Sequence, residues 1–300
     1  MLKKPNYVKL YEEGDFPQRV RQAHEFLKNC ALCPRECRVN RIKGEKGFCD
    51  STKRLRIASS FAHFGEESPL VGRKGSGTIF ISHCNLKCVF CQNYDISHLG
   101  HGEDLKPGEL AKIMFRLQDS GCHNINIVSP THVIPQLIAA LCLAARKGLR
   151  LPFVYNTGGY DSPRILRLLD GIADIYLIDI KFGDDETAKK YTGAENYYTY
   201  VKQNLEEMYK QVGPLALDEY GVSYQGVLVR HLVLPNDLAN SREVFSLIKS
   251  ISPEIPVNVM GQYFPSYKAY EFDEINRPPT IGEIFNAKKW AKELGLSVIN

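Results

Sequence analysis

The chain has 300 residues, a net charge of +4, and 44% hydrophobic and 24% charged residues. That length suits one large α/β domain with an appendage, and the charge is too small to argue for a nucleic-acid or acidic-membrane partner. The opening MLKKPNYVKLYEEG lacks the apolar core of a secretory signal, and the longest apolar run, 133–145, is interrupted by Pro135 and Gln136 and too short to span a bilayer, so a cytoplasmic location is expected.

Residues 1–75 read as a separate unit, with many charges, few apolar periodic runs and four of the nine cysteines. The run GRKGSG at 72–77 reads as a turn or linker. Beyond it the pattern alternates. Residues 78–82 (TIFIS) form a short strand, 109–120 a helix stopped by Gly121, and 125–128 a strand. Residues 133–147 form a helix ending at Gly148, 152–155 a strand and 163–169 a short helix. The run 175–180 (IYLIDI) is a strong strand, followed by a helix at 197–212 closed by Gly213 and Pro214. A strand at 226–234, a helix at 241–250, a strand at 256–260 and a helix at 281–293 complete the chain. These six strand–helix units, with strands apolar on both faces, predict a parallel sheet covered by helices. The fold expected is a partial (β/α)6 barrel over 76–300, with an N-terminal cysteine-rich module over 1–75. In barrels the chemistry gathers where strands end, and Ser129, Asn156, Asp179, Lys181 and Gln262 fall there.

Seven of the nine cysteines lie between Cys30 and Cys91. In a reducing compartment such clustering favours metal over disulfide. Cys84, Cys88 and Cys91 follow the first barrel strand as C-x3-C-x2-C. Three thiolates can hold a 4Fe–4S cluster and leave one iron open for a small chelating substrate. The competing reading is a zinc knuckle with His83 as fourth ligand.

The spacing and position of Cys84, Cys88 and Cys91 resemble the radical S-adenosylmethionine (SAM) superfamily. That resemblance implies an open iron that takes the amino and carboxylate groups of SAM. It also implies one-electron cleavage of the sulfonium to a 5′-deoxyadenosyl radical, and a flavodoxin or ferredoxin-type reductant. Phe90 matches the family position packed near the adenine. More specifically, the barrel resembles the pyruvate formate-lyase activating enzymes and their uncharacterised relatives. By that resemblance Asp179 and Lys181 would contact SAM, and Asn156-Thr157-Gly158-Gly159 would correspond to the family's loop after the third strand. The chain departs from the family after its second strand, where Ser129-Pro130-Thr131-His132 replaces the Gly-Gly-Glu that binds the SAM amino group. Ser129 and Thr131 are the candidate replacements, although the carboxylate is missing. His231, on a late strand, is either a further SAM contact or a satisfied core histidine, and Gln262 and Tyr263 are expected to face substrate. Cys122 and Cys142 stand outside any cluster, and Cys142 reads as core.

Cys30, Cys33, Cys37 and Cys49 form C-x2-C-x3-C-x11-C. Four thiolates close a zinc site or hold an auxiliary iron–sulfur cluster, and either metal would staple a loop-rich segment, in a chiefly structural role. The function expected is hydrogen-atom abstraction from a protein or a small molecule, with a glycyl-radical activase as the first candidate. A non-catalytic zinc-binding interaction protein is the alternative.

Overall fold

The computed structural model of the chain describes residues 3–299. Its strands are β1 (Leu55–His63), β2 (Ser76–Ile81), β3 (Glu103–Leu105), β4 (Ile125–Val128), β5 (Phe153–Thr157), β6 (Ile175–Asp179), β7 (Ala216–Leu217), β8 (Ser223–Leu232), β9 (Val257–Met260) and β10 (Val298–Ile299). The sheet order is β10-β9-β8-β6-β5-β4-β2-β1-β3, with β7 attached to β8. From β2 to β10 every pairing along that path is parallel, while β1 runs antiparallel to both β2 and β3. Six parallel strands, β2, β4, β5, β6, β8 and β9, are each followed by helix. The sheet curls into a partial barrel.

Strand alternation sorts the side chains into two layers. Ile125, Ile127, Phe153, Tyr155, Tyr176 and Ile178 pack outward in the large core under the helices. Val154, Ile175, Leu177 and Leu228 face inward and pack around Leu70, which is fully buried. Leu70 belongs to the connection between β1 and β2, and this connection fills the barrel interior. Farther along the same inward parity the residues turn polar: Asn156, Asp179 and Arg230. Burying Leu70 below them leaves a charged chamber above an apolar floor.

The predicted helices lie within two residues of the observed Pro107–Asp119, Ile134–Arg146, Pro163–Leu169, Tyr197–Val212, Ser241–Ile251 and Ile281–Glu293. Pro107 occupies the first turn of its helix, and the Glu109 carboxylate accepts from the Lys106 backbone N–H at 2.7 Å, so this helix starts two residues earlier than expected. The helices Asn6–Glu12, Phe16–Glu25 and Asp185–Thr192 and the strand β1 are not predicted. β1 reads LRIASSFAH, and Ser59 and Ser60 break its apolar alternation.

The sequence places a domain boundary at residue 75, but sheet and core both cross it. Tyr7 and Phe16 are fully buried in the same core as the barrel helices, and the Tyr7 hydroxyl donates to the Leu151 carbonyl at 2.9 Å. The residues 72–77 expected as linker end inside β2. A segment too poor in apolar periodicity to build its own core has joined the barrel's.

Candidate active site

The strand ends surround a cavity of about 330 Å³, lined by Cys84, Cys88 and Cys91 together with Asn156, Asp179, Lys181 and Arg230. The loop after β2 is held open by local backbone geometry. His83 and Lys87 take left-handed φ of 70° and 49°, which few non-glycine residues adopt. Its ties reach several elements. The His83 N–H donates to the Ile96 carbonyl at 2.9 Å, the Val89 N–H to the Tyr191 carbonyl at 2.9 Å, and the Asn85 amide to the Tyr160 carbonyl at 2.7 Å.

All three cysteines are unbridged. The Leu86 N–H points at Cys84 Sγ at 3.4 Å, and the Ser97 hydroxyl at Cys91 Sγ at 3.1 Å. Burial pushes the Cys88 and Cys91 thiols up. Among the described residues no three cysteine, histidine or carboxylate groups are gathered as a set that could hold a single metal ion; the three thiols line one cavity. Three soft sulfur donors lining one cavity, two of them already accepting hydrogen bonds, fit an iron–sulfur cluster. Phe90 is buried and meets Phe182, Tyr191 and Tyr263 edge-on at 6.1, 6.4 and 5.7 Å between centroids. It too lines the cavity.

The same cavity is lined by a charge network. Arg230 Nε donates to Asp179 Oδ1 at 2.6 Å, Nη1 to Glu66 Oε2 at 3.1 Å, and Nη2 to Asn156 Oδ1 at 2.8 Å. Lys181 Nζ donates to Asp179 Oδ2 at 2.8 Å, and His63 Nδ1 lies 3.1 Å from Glu66 Oε1. Burial by itself would raise the Asp179 carboxyl, but Arg230 and Lys181 outweigh it and hold it down at about 2. Glu67 has no such neighbour at bonding distance; burial raises its carboxyl despite Arg230 farther off at 3.9 Å. Asn156 lines the cavity, and its buried Nδ2 has no partner among the described residues, so a donor is left for an acceptor on a bound molecule.

Of the residues expected from sequence, Ser129, Asn156, Asp179, Lys181, Gln262 and Tyr263 line the cavity. Ser129 adopts a left-handed φ of 57°. Thr131 does not face the cavity. Its hydroxyl donates to Asp161 Oδ1 at 2.7 Å, and Tyr155 and Thr157 donate to the same buried carboxylate. His231 is fully buried away from the cavity, with Nδ1 2.7 Å from the Ile180 carbonyl and Nε2 2.9 Å from the Ser241 hydroxyl. Both ring nitrogens are engaged, so the core alternative describes it. Glu66 and His63 were not foreseen. Both lie in the segment read as a separate module, and no spacing motif marks them.

The four N-terminal cysteines are unbridged as well, with Cys30, Cys33 and Cys49 buried and Cys37 half-buried. They are near enough that Cys49, Cys30 and Cys37 add to the burial that pushes the Cys33 thiol up to about 12. Arg41, almost fully buried, donates to Cys49 Sγ at 3.1 Å and to the His132 carbonyl at 2.6 Å. Among the described residues it has no carboxylate partner within 4 Å.

Residues 78–222 match the Radical SAM superfamily. An uncharacterised protein of Methanocaldococcus jannaschii is 35% identical over 306 residues, covering 99% of this chain and 81% of its own. A pyruvate formate-lyase-activating enzyme of Clostridium pasteurianum is 27% identical, covering 70% of this chain and 84% of its own. Among solved structures, a radical SAM methyltransferase from Sphaerobacter thermophilus aligns with a TM-score of 0.50 at 16% identity, over 74% of this chain and 65% of that one. That likeness concerns the fold, and this chain spans slightly under two thirds of that neighbour.

Proposed function

We propose that this chain, which belongs to the radical SAM superfamily, abstracts a hydrogen atom from a protein partner in the manner of an activating enzyme. Family membership makes it an enzyme and sets aside the non-catalytic zinc-binding alternative. The observation that carries the reading is that three free thiols and a carboxylate–guanidinium–ammonium network line one cavity.

Cys84, Cys88 and Cys91 would hold a 4Fe–4S cluster. Held there, such a cluster would supply the one electron, delivered by an external reductant, that reductive cleavage of SAM to methionine and 5′-deoxyadenosine requires, the added hydrogen atom coming from the substrate. The chain's own groups bind and orient. Asp179 and Glu66 offer carboxylates to the SAM ammonium, which answers the missing Gly-Gly-Glu, while Lys181 and the free Asn156 amide N–H face its carboxylate. Phe90 offers an aromatic surface to the adenine. The cavity lies at the small end of the range for small-molecule sites. SAM would take up most of it, so a substrate presented from outside on a protein surface fits better than a second small molecule inside.

The likeness to a pyruvate formate-lyase-activating enzyme supports the glycyl-radical variant of this reading. The electron would come from a flavodoxin or ferredoxin. No helix among the described residues is long and apolar enough to cross a membrane, and a cytoplasmic setting belongs to the same reading. Cys30, Cys33, Cys37 and Cys49 would hold a second centre, zinc or iron–sulfur. The buried, carboxylate-free guanidinium of Arg41 supports it, because a four-thiolate metal site supplies the negative charge that such a group needs.

The deciding experiment is anaerobic incubation of the iron- and sulfide-reconstituted chain with SAM and dithionite, with candidate protein partners added in turn. Formation of 5′-deoxyadenosine is expected, rising in the presence of the true partner. Its absence from protein carrying a full cluster would overturn the reading.

A further inference from the structure

Arg35 lies in the turn between Cys33 and Cys37, yet the hydrogen bonds of its guanidinium all leave that turn. Nε donates to the Asn85 carbonyl at 2.6 Å, and Nη2 reaches the Leu86 carbonyl at 3.5 Å. Both acceptors lie between Cys84 and Cys88. Nη2 also donates to the Thr192 carbonyl at 2.8 Å, and Nη1 to the Gly193 carbonyl at 2.9 Å. The guanidinium carbon sits 3.4 Å from the centroid of the Phe48 ring, one residue before Cys49. A second tie runs in parallel, where Lys87 of the cluster loop pairs with Asp50. Half-buried and with no carboxylate within 4 Å among the described residues, Arg35 has Tyr160, Cys33, Cys37 and Cys84 as its acidic neighbours. A planar fork spread over four carbonyls of two loops is a geometry that only arginine supplies.

We infer that Arg35 is a positioning residue through which the four-cysteine segment holds the cluster-binding loop in shape. The inference rests on the reading of Cys84, Cys88 and Cys91 as cluster ligands. The N-terminal centre then has a task beyond stapling its own segment. Ordering the turn around Cys33 and Cys37 aims Arg35, and Arg35 fixes the loop backbone between the first two cluster cysteines. Its positive charge also favours the reduced, more negative state of the cluster.

Two variants separate the fork from the charge. In anaerobically reconstituted protein, Arg35→Ala should lose iron to a chelator roughly ten- to a hundredfold faster, as for other outer-shell partners of metal ligands, and should shift the cluster's reduction potential to a more negative value. Arg35→Lys keeps the charge without the fork, so it should hold its potential near wild type but still release iron faster. Hydrogen exchange of residues 84–91, measured on the protein as isolated, should rise in both variants while β5 and β6 stay protected. Cys37→Ser, which disturbs the centre without touching Arg35, should produce the same rise. Unchanged exchange at 84–91 and unchanged iron release in Arg35→Ala would overturn the inference. Because loop exchange is read on the protein as isolated and does not require a cluster, failure of wild-type protein to bind iron would count against the cluster assignment and leave the loop result standing.

Discussion

Asp179, Lys181, Arg230 and Glu66 share one buried site, and their roles separate by what each leaves behind when removed. Asn in place of Asp179 still accepts hydrogen bonds but loses the charge facing an ammonium. Asp179→Asn should weaken SAM binding by roughly ten- to a hundredfold, the worth of a charge-assisted hydrogen bond, with a small drop in melting temperature. Arg230→Met removes one partner from each of two carboxylates, leaving Lys181 on Asp179 and His63 beside Glu66. It should cost about 3 kcal/mol of folding free energy, the low end for broken buried pairs, because the network keeps some exposure: 16% for Arg230 and 20% for Asp179. Calorimetric titration with SAM and denaturant melts of both variants check the contrast, and equal stability losses in the two would contradict it. Triple replacement of Cys84, Cys88 and Cys91 by Ala should remove the cluster's iron and abolish 5′-deoxyadenosine formation; iron and sulfide analysis with product chromatography reads this directly.

The β1–β2 connection and strand β8 each carry consequences that no single contact shows. Leu70, at the centre of the connection, is the plug under the charged chamber. Leu70→Ala should cost about 2–5 kcal/mol in urea melts and, by loosening Glu66, should also lower SAM affinity. In β8, Arg230 and His231 point to opposite faces, one into the chamber and the other into the outer core. Burial lowers the His231 imidazole to about 4, despite its hydrogen bond to the Ile180 carbonyl. Unfolded histidine titrates near about 6.5, so between those values the unfolded chain takes a proton that the folded one refuses. This histidine therefore lowers stability as pH falls from about 6.5 to about 4. The stability difference between pH 7 and pH 5 should shrink in His231→Gln relative to wild type, as measured by denaturant melts at both values. An unchanged difference would mean that His231 protonates in the folded protein.

At the scale of the molecule, the N-terminal 75 residues and the barrel form one core. Tyr7 and Phe16 each bury an aromatic ring, worth about 1.5–3 kcal/mol apiece, and β1 supplies an antiparallel neighbour to the first barrel strand. A fragment of residues 76–300 should therefore lack a cooperative melt and near-ultraviolet circular dichroism, even with iron and sulfide present. A fragment melting as sharply as the full chain would restore the boundary at residue 75. The same union brings Arg35 against the cluster loop and Glu66 against Arg230, so the segment ahead of the barrel contributes to the site as well as to stability.

What could be read without coordinates had a local cause. C-x3-C-x2-C is a property of one loop, and the strands from 78 to 260 and their helices announce themselves by period and by glycine or proline stops. Six strand–helix units therefore follow from the order of residues alone. Asp179, Lys181 and Asn156 could be found because they end strands, and ending a parallel strand already implies a place at the barrel mouth. Only the tertiary structure could decide which side of a strand faces inward and what meets it there. Arg230 and His231 are adjacent in sequence, yet one enters the chamber and the other the outer core, because alternation gives each the opposite face. Glu66 reaches Arg230 across 164 positions, and Arg35 reaches Asn85 across 50. No local pattern encodes such contacts. They exist because a segment too polar to fold on its own gains its core, and the partners for its charges, from the barrel.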